Sequence, residues 1–599
     1  MWSNLWITCA GLATFTVRAA HTSVIHSRQT SDTSTISWTT CPDVNSTQCA
    51  LLDVPMDYTN PGGNSTVSIF LRKYPATVPT DQKLGSILFN PGGPGGSGSG
   101  VVVGLGEAIS KMVDGRYDII GFDPRAVNLT GPSTACHDVE LKFAERAYPK
   151  PCIREPHGVP FPHVGGAGEI VHVAKLSAIQ SSHHAACIQN GNYEMLRNSG
   201  TVASDVKYME RIMEALGEDG LNFLGYSYGT ILGATFAAMR PNLVKRMVLD
   251  GVSDSESYFN DALEWGRSGI QDSHKTFAGF ISTCIDAGPA QCALASTKDN
   301  KTETVEGLTK RLNALYAKLG KEPLVVGDSS AGPGIIQAHN VQIGVFALMY
   351  FPHRWPALAQ ILLLLEQGDA GDLYPGFTYT LVYGAVPKPY TQNVFNRSMQ
   401  IFPSNTRESQ YPIMCSDSPQ LNITVEGYVD YFREMGKISP VGEQMALVIG
   451  GCRGWSFRAT ERYTGPWTIE KGLNKTRFPI LFVSLDADPV TPLPSAVKMS
   501  KGFGIESASL LIQQGFGHPS FSHPSLCTVK NIRDYFVDGK VPKNGTYCTP
   551  EPGWIYPTNS TSSKRSVLTG RDKDLLEAVE KIGRMGFQMP AGFLGRLFG

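Results

Sequence analysis

The chain has 599 residues, a formal net charge of −1, and 42% hydrophobic against 18% charged residues. That length buries a large core and implies several domains or one domain with a big insertion. The near-neutral balance gives no electrostatic case for nucleic acid as a partner, and the 62 glycines and 39 prolines follow no period, which excludes a collagen-like repeat.

In chain order, Leu5 to Val17 is an apolar run without charge, followed by small residues around Ala19. This predicts a signal peptide over residues 1–19, because the run is too short to span a bilayer as an anchor. Sequons at Asn45, Asn64, Asn128, Asn300, Asn396, Asn422, Asn474, Asn544 and Asn559 are candidate glycosylation sites and agree with a secreted, extracellular chain. So do the 12 cysteines. Cys9 leaves with the signal peptide, and close spacing suggests the pairs Cys41–Cys49, Cys284–Cys292 and Cys527–Cys548. An odd number remains, so one thiol is unpaired or intermolecular. None of the spacings resembles a zinc site, and no cofactor or metal is implied.

Residues 35 to 80 carry strand-like runs such as Val67 to Leu71. Further strands are expected at Ile87 to Phe89, Tyr117 to Phe122, Leu221 to Leu224 and Val244 to Leu249, with helices at Thr201 to Leu216 and Thr230 to Met239. This alternation marks a mostly parallel sheet flanked by helices, the first part of an α/β core over 35–252. From 253 to 477 the alternation is lost, and the segment reads as a mainly helical cap or lid. Its greasy run Ile361 to Leu365 is too short to be transmembrane. The rhythm resumes over 478–550 with strands at Pro479 to Leu485 and Leu510 to Ile512 and a helix at Pro494 to Met499. Residues 551–599 form a linker and an amphipathic tail, with Leu575, Val579 and Ile582 at i, i+4, i+7. A helix packed on the body is the favoured reading of that tail, an interfacial membrane helix the other. Lys564-Arg565 in the linker is a candidate processing site.

The chemistry gathers at loops after strands. Gly225-Tyr226-Ser227-Tyr228-Gly229 fits G-x-S-x-G, and it follows an apolar strand and opens a helix, as the nucleophile elbow of an α/β-hydrolase fold requires. A serine hydroxyl needs a base to take its proton, and in this fold acid and histidine follow in chain order. Asp488, after a strand, is the expected acid, with Asp486 as the alternative. His518 in Gly517-His518-Pro519 is the expected base, with His523 as fallback. The oxyanion hole is expected from the backbone N–H groups of Tyr228 and of Gly93 in the Asn90–Gly98 loop. That loop also matches G-x-G-x-x-G from Gly93 to Gly98, but its prolines and the late Asp123 argue against dinucleotide binding.

Several motifs together resemble the tripeptidyl-aminopeptidase-like branch of the α/β-hydrolases, related to proline iminopeptidases. They are Trp38 with Cys41, Val54-Pro55-Met56-Asp57-Tyr58, Asn90 to Gly95, Gly121-Phe122-Asp123-Pro124-Arg125, Gly225 to Thr230, Leu249-Asp250-Gly251, Cys452-Arg453-Gly454-Trp455, Asp488 to Pro492, Gly517-His518, and Tyr535 to Cys548. The resemblance spans about 35 to 550 and implies a hydrolase core, a helical cap and the same Ser-Asp-His triad. Ala126 departs from it, standing where the family has glycine. The resemblance implies an exopeptidase releasing short N-terminal units from peptides. Such an enzyme should hold the substrate ammonium on a cap carboxylate; Glu256 and Glu264 are possible and neither is assigned. An esterase or amide hydrolase acting on a small metabolite is the alternative, since fold does not fix substrate. A non-catalytic binding ectodomain is the third reading.

Overall fold

Ten short strands, most of them apolar, form the central sheet that sets the architecture. The structure is a computed structural model that describes residues 36–131, 169–297, 299, 301–329, 333–374, 390–394, 397–401, 406–557, 568 and 570–586. The expected leader over 1–19, the sequons Asn300, Asn396 and Asn559, and Lys564-Arg565 lie outside the described residues.

The strands are β1 (Thr39–Thr40), β2 (Gln48–Pro55), β3 (Thr66–Tyr74), β4 (Gly85–Asn90), β5 (Tyr117–Phe122), β6 (Leu221–Tyr226), β7 (Val244–Asp250), β8 (Ile480–Ala487), β9 (Ala508–Phe516) and β10 (Thr546–Cys548). They form one sheet in the order β1-β2-β3-β5-β4-β6-β7-β8-β9-β10. The first three pair antiparallel, β3 pairs antiparallel with β5, and every pair from β5 to β10 is parallel. Successive residues of a strand point to opposite faces. Leu88, Ile120 and Phe223 accordingly enter the core on one side, and Ile87, Phe89, Ile119 and Leu224 the core on the other. Burial on both faces is why these strands read as unbroken apolar runs. The fold is the α/β arrangement the sequence implies.

Between β7 and β8 the chain leaves the sheet and becomes mainly helical, with nine described α-helices from Ser255–Asn260 to Gly442–Gly450. Phe280, Leu312, Leu348, Trp355 and Tyr374 of this stretch join a separate core to which Trp554 and Ile555 also belong. The described strands of this stretch are confined to two small antiparallel pairs, Leu324–Val326 with Gly334–Ile336 and Tyr390–Val394 with Arg397–Ile401, both apart from the central sheet. The short helix Ser255–Asn260 is capped by Asp254 and the helix Val425–Ile438 by Thr424.

On the opposite side of the sheet lie α1 (Gly98–Met112), α3 (Leu526–Asp538) and α4 (Gly570–Met585), while α2 (Tyr228–Met239) follows β6. The tail's apolar stripe is buried: Leu575, Leu576, Val579 and Ile582 join the core that α1 and α3 share. The packed-helix reading of the tail is therefore the one the structure has. No helix of the described residues is long and apolar enough to cross a membrane.

Disulfides join Cys41–Cys49, Cys284–Cys292 and Cys527–Cys548, and also Cys415–Cys452 within the helical region. Cys187 is disulfide-bonded as well. Asn45, Asn64, Asn422, Asn474 and Asn544 are exposed. Asn128 differs. Its amide nitrogen donates to Asp123 Oδ2 at 3.0 Å and to Ser97 Oγ at 3.1 Å, so in the fold it is engaged within the protein.

Candidate active site

The carboxyl ends of β4, β6, β7, β8 and β9 lie side by side in the sheet, and each is followed by a residue of the site. Open α/β sheets bind ligands at this edge. Ser227 occupies the turn between β6 and α2 with φ 58° and ψ −126°. An L-residue enters this region only when the surroundings force it. They do so by crowding: a Cβ on Gly225 would fall 2.5 Å from the Gly229 carbonyl oxygen, and one on Gly229 2.7 Å from that of Asn90. The two glycines let β6 and the helix approach closely enough to hold the serine in the strained turn.

Tyr228 is the first residue of α2, so its N–H has no acceptor within the helix. The loop after β4 lies against this elbow. A Cβ on Gly92 would stand 2.5 Å from the Tyr226 carbonyl oxygen, 2.8 Å from Ser227 Cβ and 2.9 Å from Tyr228 N. Asn90 Oδ1 accepts the Gly92 N–H at 2.8 Å, and the Gly92 carbonyl accepts the Gly96 N–H at 3.0 Å. The next N–H along the loop is that of Gly93, whose φ is +120°. Asp123 is buried and accepts from the Ser97 hydroxyl (2.7 Å) and the Ser99 hydroxyl (2.6 Å) and N–H (3.1 Å), fixing the start of α1. It is spent on the protein itself.

Asp488 follows β8, fully buried. Its Oδ1 accepts the N–H groups of Val490 (2.9 Å) and Thr491 (2.8 Å), and its Oδ2 accepts the Thr491 hydroxyl at 2.9 Å. These bonds compensate a carboxylate removed from water. His518 follows β9, and its Nδ1 lies 2.8 Å from Asp488 Oδ2 and 3.0 Å from Thr491 Oγ1. Both oxygens suit a proton on Nδ1, which leaves Nε2 unprotonated with a free lone pair. That Nε2 is buried and has no hydrogen-bond partner among the described residues. The helical region holds the histidine from the other side. Its backbone N–H donates to the Tyr350 carbonyl at 3.1 Å, and the Tyr350 ring meets the imidazole edge-on, centroids 5.2 Å apart.

The alternatives have other work. Asp486 accepts the Gly515 N–H at 3.0 Å and the Tyr547 hydroxyl at 2.9 Å. His523 stacks on Phe516 and takes its N–H at 3.3 Å, and burial pushes the imidazole down to about 4, so it stays neutral. Glu256 pairs with Lys498 at 3.1 Å, and Glu264 lies 3.4 Å from Arg267. Thr491 was not singled out by sequence reasoning, although an acid followed three residues later by a threonine is the spacing of a side-chain-capped turn. Asp250 stood in the Leu249-Asp250-Gly251 motif without a role and Ser520 was missed, because their contact joins residues 270 apart.

With this geometry in hand, comparisons with known proteins agree on the class. Residues 85–288 match the family model for the alpha/beta hydrolase fold, and residues 439–548 match that for TAP-like protein. The chain is 26% identical over 539 residues to the serine protease Hip1 of Mycobacterium tuberculosis, covering 86% of this chain and 91% of the relative. It is 28% identical over 528 residues to carboxylesterase B of the same organism, covering 86% and 90%. Tripeptidyl aminopeptidase of Streptomyces lividans is 25% identical over 509 residues, covering 84% of each chain.

Proposed function

We propose that the chain is a serine hydrolase of the α/β-hydrolase superfamily with a TAP-like C-terminal part, and that it is a secreted exopeptidase that cleaves short N-terminal units from peptides through an acyl-enzyme on Ser227. The observation that carries the reading is His518, with Nδ1 committed to Asp488 and a buried Nε2 left without a partner among the described residues. In the proposed cycle Nε2 takes the Ser227 proton as Oγ attacks the scissile carbonyl, then returns it to the leaving amine. Asp488 keeps the tautomer and stabilises the imidazolium. The N–H groups of Tyr228 and Gly93 meet the oxyanion. Water, deprotonated by the same nitrogen, releases the acyl group. The proposed organisation is a core over 35–252 and 478–550, a cap over 253–477 and a tail over 551–599. Secretion is supported by the leader-like residues 1–19, by the four described disulfides and by five exposed sequons.

A second reading, an esterase or amide hydrolase of a small metabolite, is favoured by the similarity to carboxylesterase B. Labelling with a fluorophosphonate beside Ser227→Ala tests the nucleophile, and His518→Ala tests the base. A panel of free and N-blocked peptide amides and simple esters then separates the two readings. Cleavage confined to free-amine peptides supports the exopeptidase; turnover confined to esters or blocked substrates supports the alternative. Wild-type labelling retained by Ser227→Ala removes Ser227 as nucleophile.

A further inference from the structure

Asp250 ends β7 at the centre of the site, yet no step above uses it. It is fully buried. Its main-chain carbonyl accepts the N–H of Ser227 itself at 3.0 Å. Its side chain turns toward the histidine loop: Oδ1 accepts the N–H of Ser520 at 3.1 Å and Oδ2 the Ser520 hydroxyl at 2.6 Å. Ser520 stands two residues after His518, and its own carbonyl accepts Gln513 Nε2 at 3.0 Å. The next residue of the strand end, Gly251, is pressed against the same loop. A Cβ there would lie 2.8 Å from Pro519 Cβ and 3.1 Å from His518 Cε1. Asp250 thus holds Ser227 through its backbone carbonyl and, through its carboxylate, Ser520 in the loop that carries His518.

The energetics argue for purpose. A buried carboxylate needs strong compensation, and this one has two donors, both from Ser520. Burial pushes its carboxyl up to about 7, against the pull of those bonds and of His518. The titratable groups that face it are His518, Asp488 and the Tyr226 hydroxyl. An asparagine of the same shape would span the gap without that cost, so a spacer alone does not explain the acid.

We propose that Asp250 is a positioning residue for the reaction: its ionised carboxylate clamps the His518–Ser520 loop to the nucleophile elbow that its own carbonyl holds, keeping Ser227 and His518 in register. The proposal rests on the roles given above to Ser227 and His518. Proton transfer demands such register, because a misplacement of about 1 Å costs on the order of a hundredfold.

The test uses the full-length enzyme with whichever substrate the panel yields, and follows kcat, KM and the fluorophosphonate labelling rate across pH. Asp250→Asn keeps the shape and removes the charge. It should lower kcat about tenfold with KM within about twofold, and the acid limb of the kcat profile should become a single ionisation where the wild type shows two. Ser520→Ala deletes a bond that favours the ionised form, so it should move the limb to higher pH. Asp250→Glu should recover activity only in part. Unchanged kcat and an unchanged limb in both Asp250→Asn and Ser520→Ala overturn the proposal. A fall in kcat with the wild-type limb retained also overturns it, leaving a packing role. The underlying reading fails separately: Ser227→Ala or His518→Ala would then label like wild type. Asp250→Asn and Ser520→Ala are assayed beside near-ultraviolet circular dichroism, so a misfolded variant is recognised and the other decides.

Discussion

At the scale of single residues, the site depends on contacts shorter than one side chain. Thr491 donates its hydroxyl to Asp488 and offers the same oxygen to His518 Nδ1. Thr491→Val keeps the volume and removes both bonds. Hydrogen bonds to charged groups contribute about 1.5–3 kcal/mol, so kcat should fall at least about tenfold with little change in KM; steady-state kinetics on the leading substrate decides it, and an unchanged kcat would show the hydroxyl to be idle. Gly92 is more severe. A methyl group there meets two backbone atoms, the Tyr226 carbonyl oxygen and Tyr228 N, and the Cβ of Ser227, and none of them can yield without moving the elbow. Gly92→Ala should lose about a hundredfold or more in kcat and in labelling rate, in the range found when one oxyanion donor is removed. A fully active Gly92→Ala would mean that the two loops do not bear on each other. Ala126 is the reverse case. It holds φ +63°, so an L-residue stands in a left-handed conformation on the loop after Asp123.

At the scale of elements, what the sequence disclosed follows from what periodicity records. Strands β4 to β9 were legible because a strand buried on both faces is a short apolar run between turn residues. The elbow was legible because two glycines flank a serine between such a run and a helix. The helix expected over Thr201 to Leu216 shows the limit: Val202–Val206 is a π-turn, and the regular helix starts at Lys207. Hydrogen bonds such as Asp250 to Ser520 leave no trace in a local pattern. The tail was half legible. Leu575, Val579 and Ile582 marked a face, but not its partner. That partner is α1 and α3, and the helix end reaches the site's rear: a Cβ on Gly583 would lie 2.4 Å from the Phe521 carbonyl oxygen, next to Ser520, and Arg584 lies over the Trp554 ring at 4.5 Å. Ending the chain after Pro557 uncovers the apolar faces on both sides, where each full-size side chain contributes roughly 1.5–3 kcal/mol as an upper bound. The shortened protein should melt several degrees lower and lose part of its kcat, and a peptide of residues 568–586 added in trans should recover some of each. A truncated enzyme with wild-type melting and kinetics would make the helix an ornament of the fold.

At the scale of the whole molecule, two sets of buried titratable groups oppose each other. His184, His353 and His523 are pushed by burial to about 4, 3 and 4. Unfolded, they take protons below about 6.5, so the stability they contribute is present above that pH and lost as pH falls through the range. Asp250 and Asp417 are pushed up to about 7 and about 6, and Asp205, buried beside Asp417, is raised well above its ordinary value, in each case chiefly by burial. These acids hold protons in the folded state that the unfolded chain releases near 4, so the stability tied to them falls as pH rises. Between about 4.5 and 6 three histidines act against three acids, and the slopes largely cancel. As pH rises past about 6.5 the histidines become neutral in both states, while Asp250 is still being forced to ionise in place. The melting temperature should therefore be nearly flat from pH 4.5 to 6 and decline from 6.5 to 8, and Asp250→Asn should flatten that decline. Calorimetry across the range measures it. A melting temperature that climbs steadily to pH 8 would mean that these carboxylates are ionised and well compensated in the folded protein, and it would remove the reason to treat Asp250 as a group whose charge is maintained at a cost for the sake of the site.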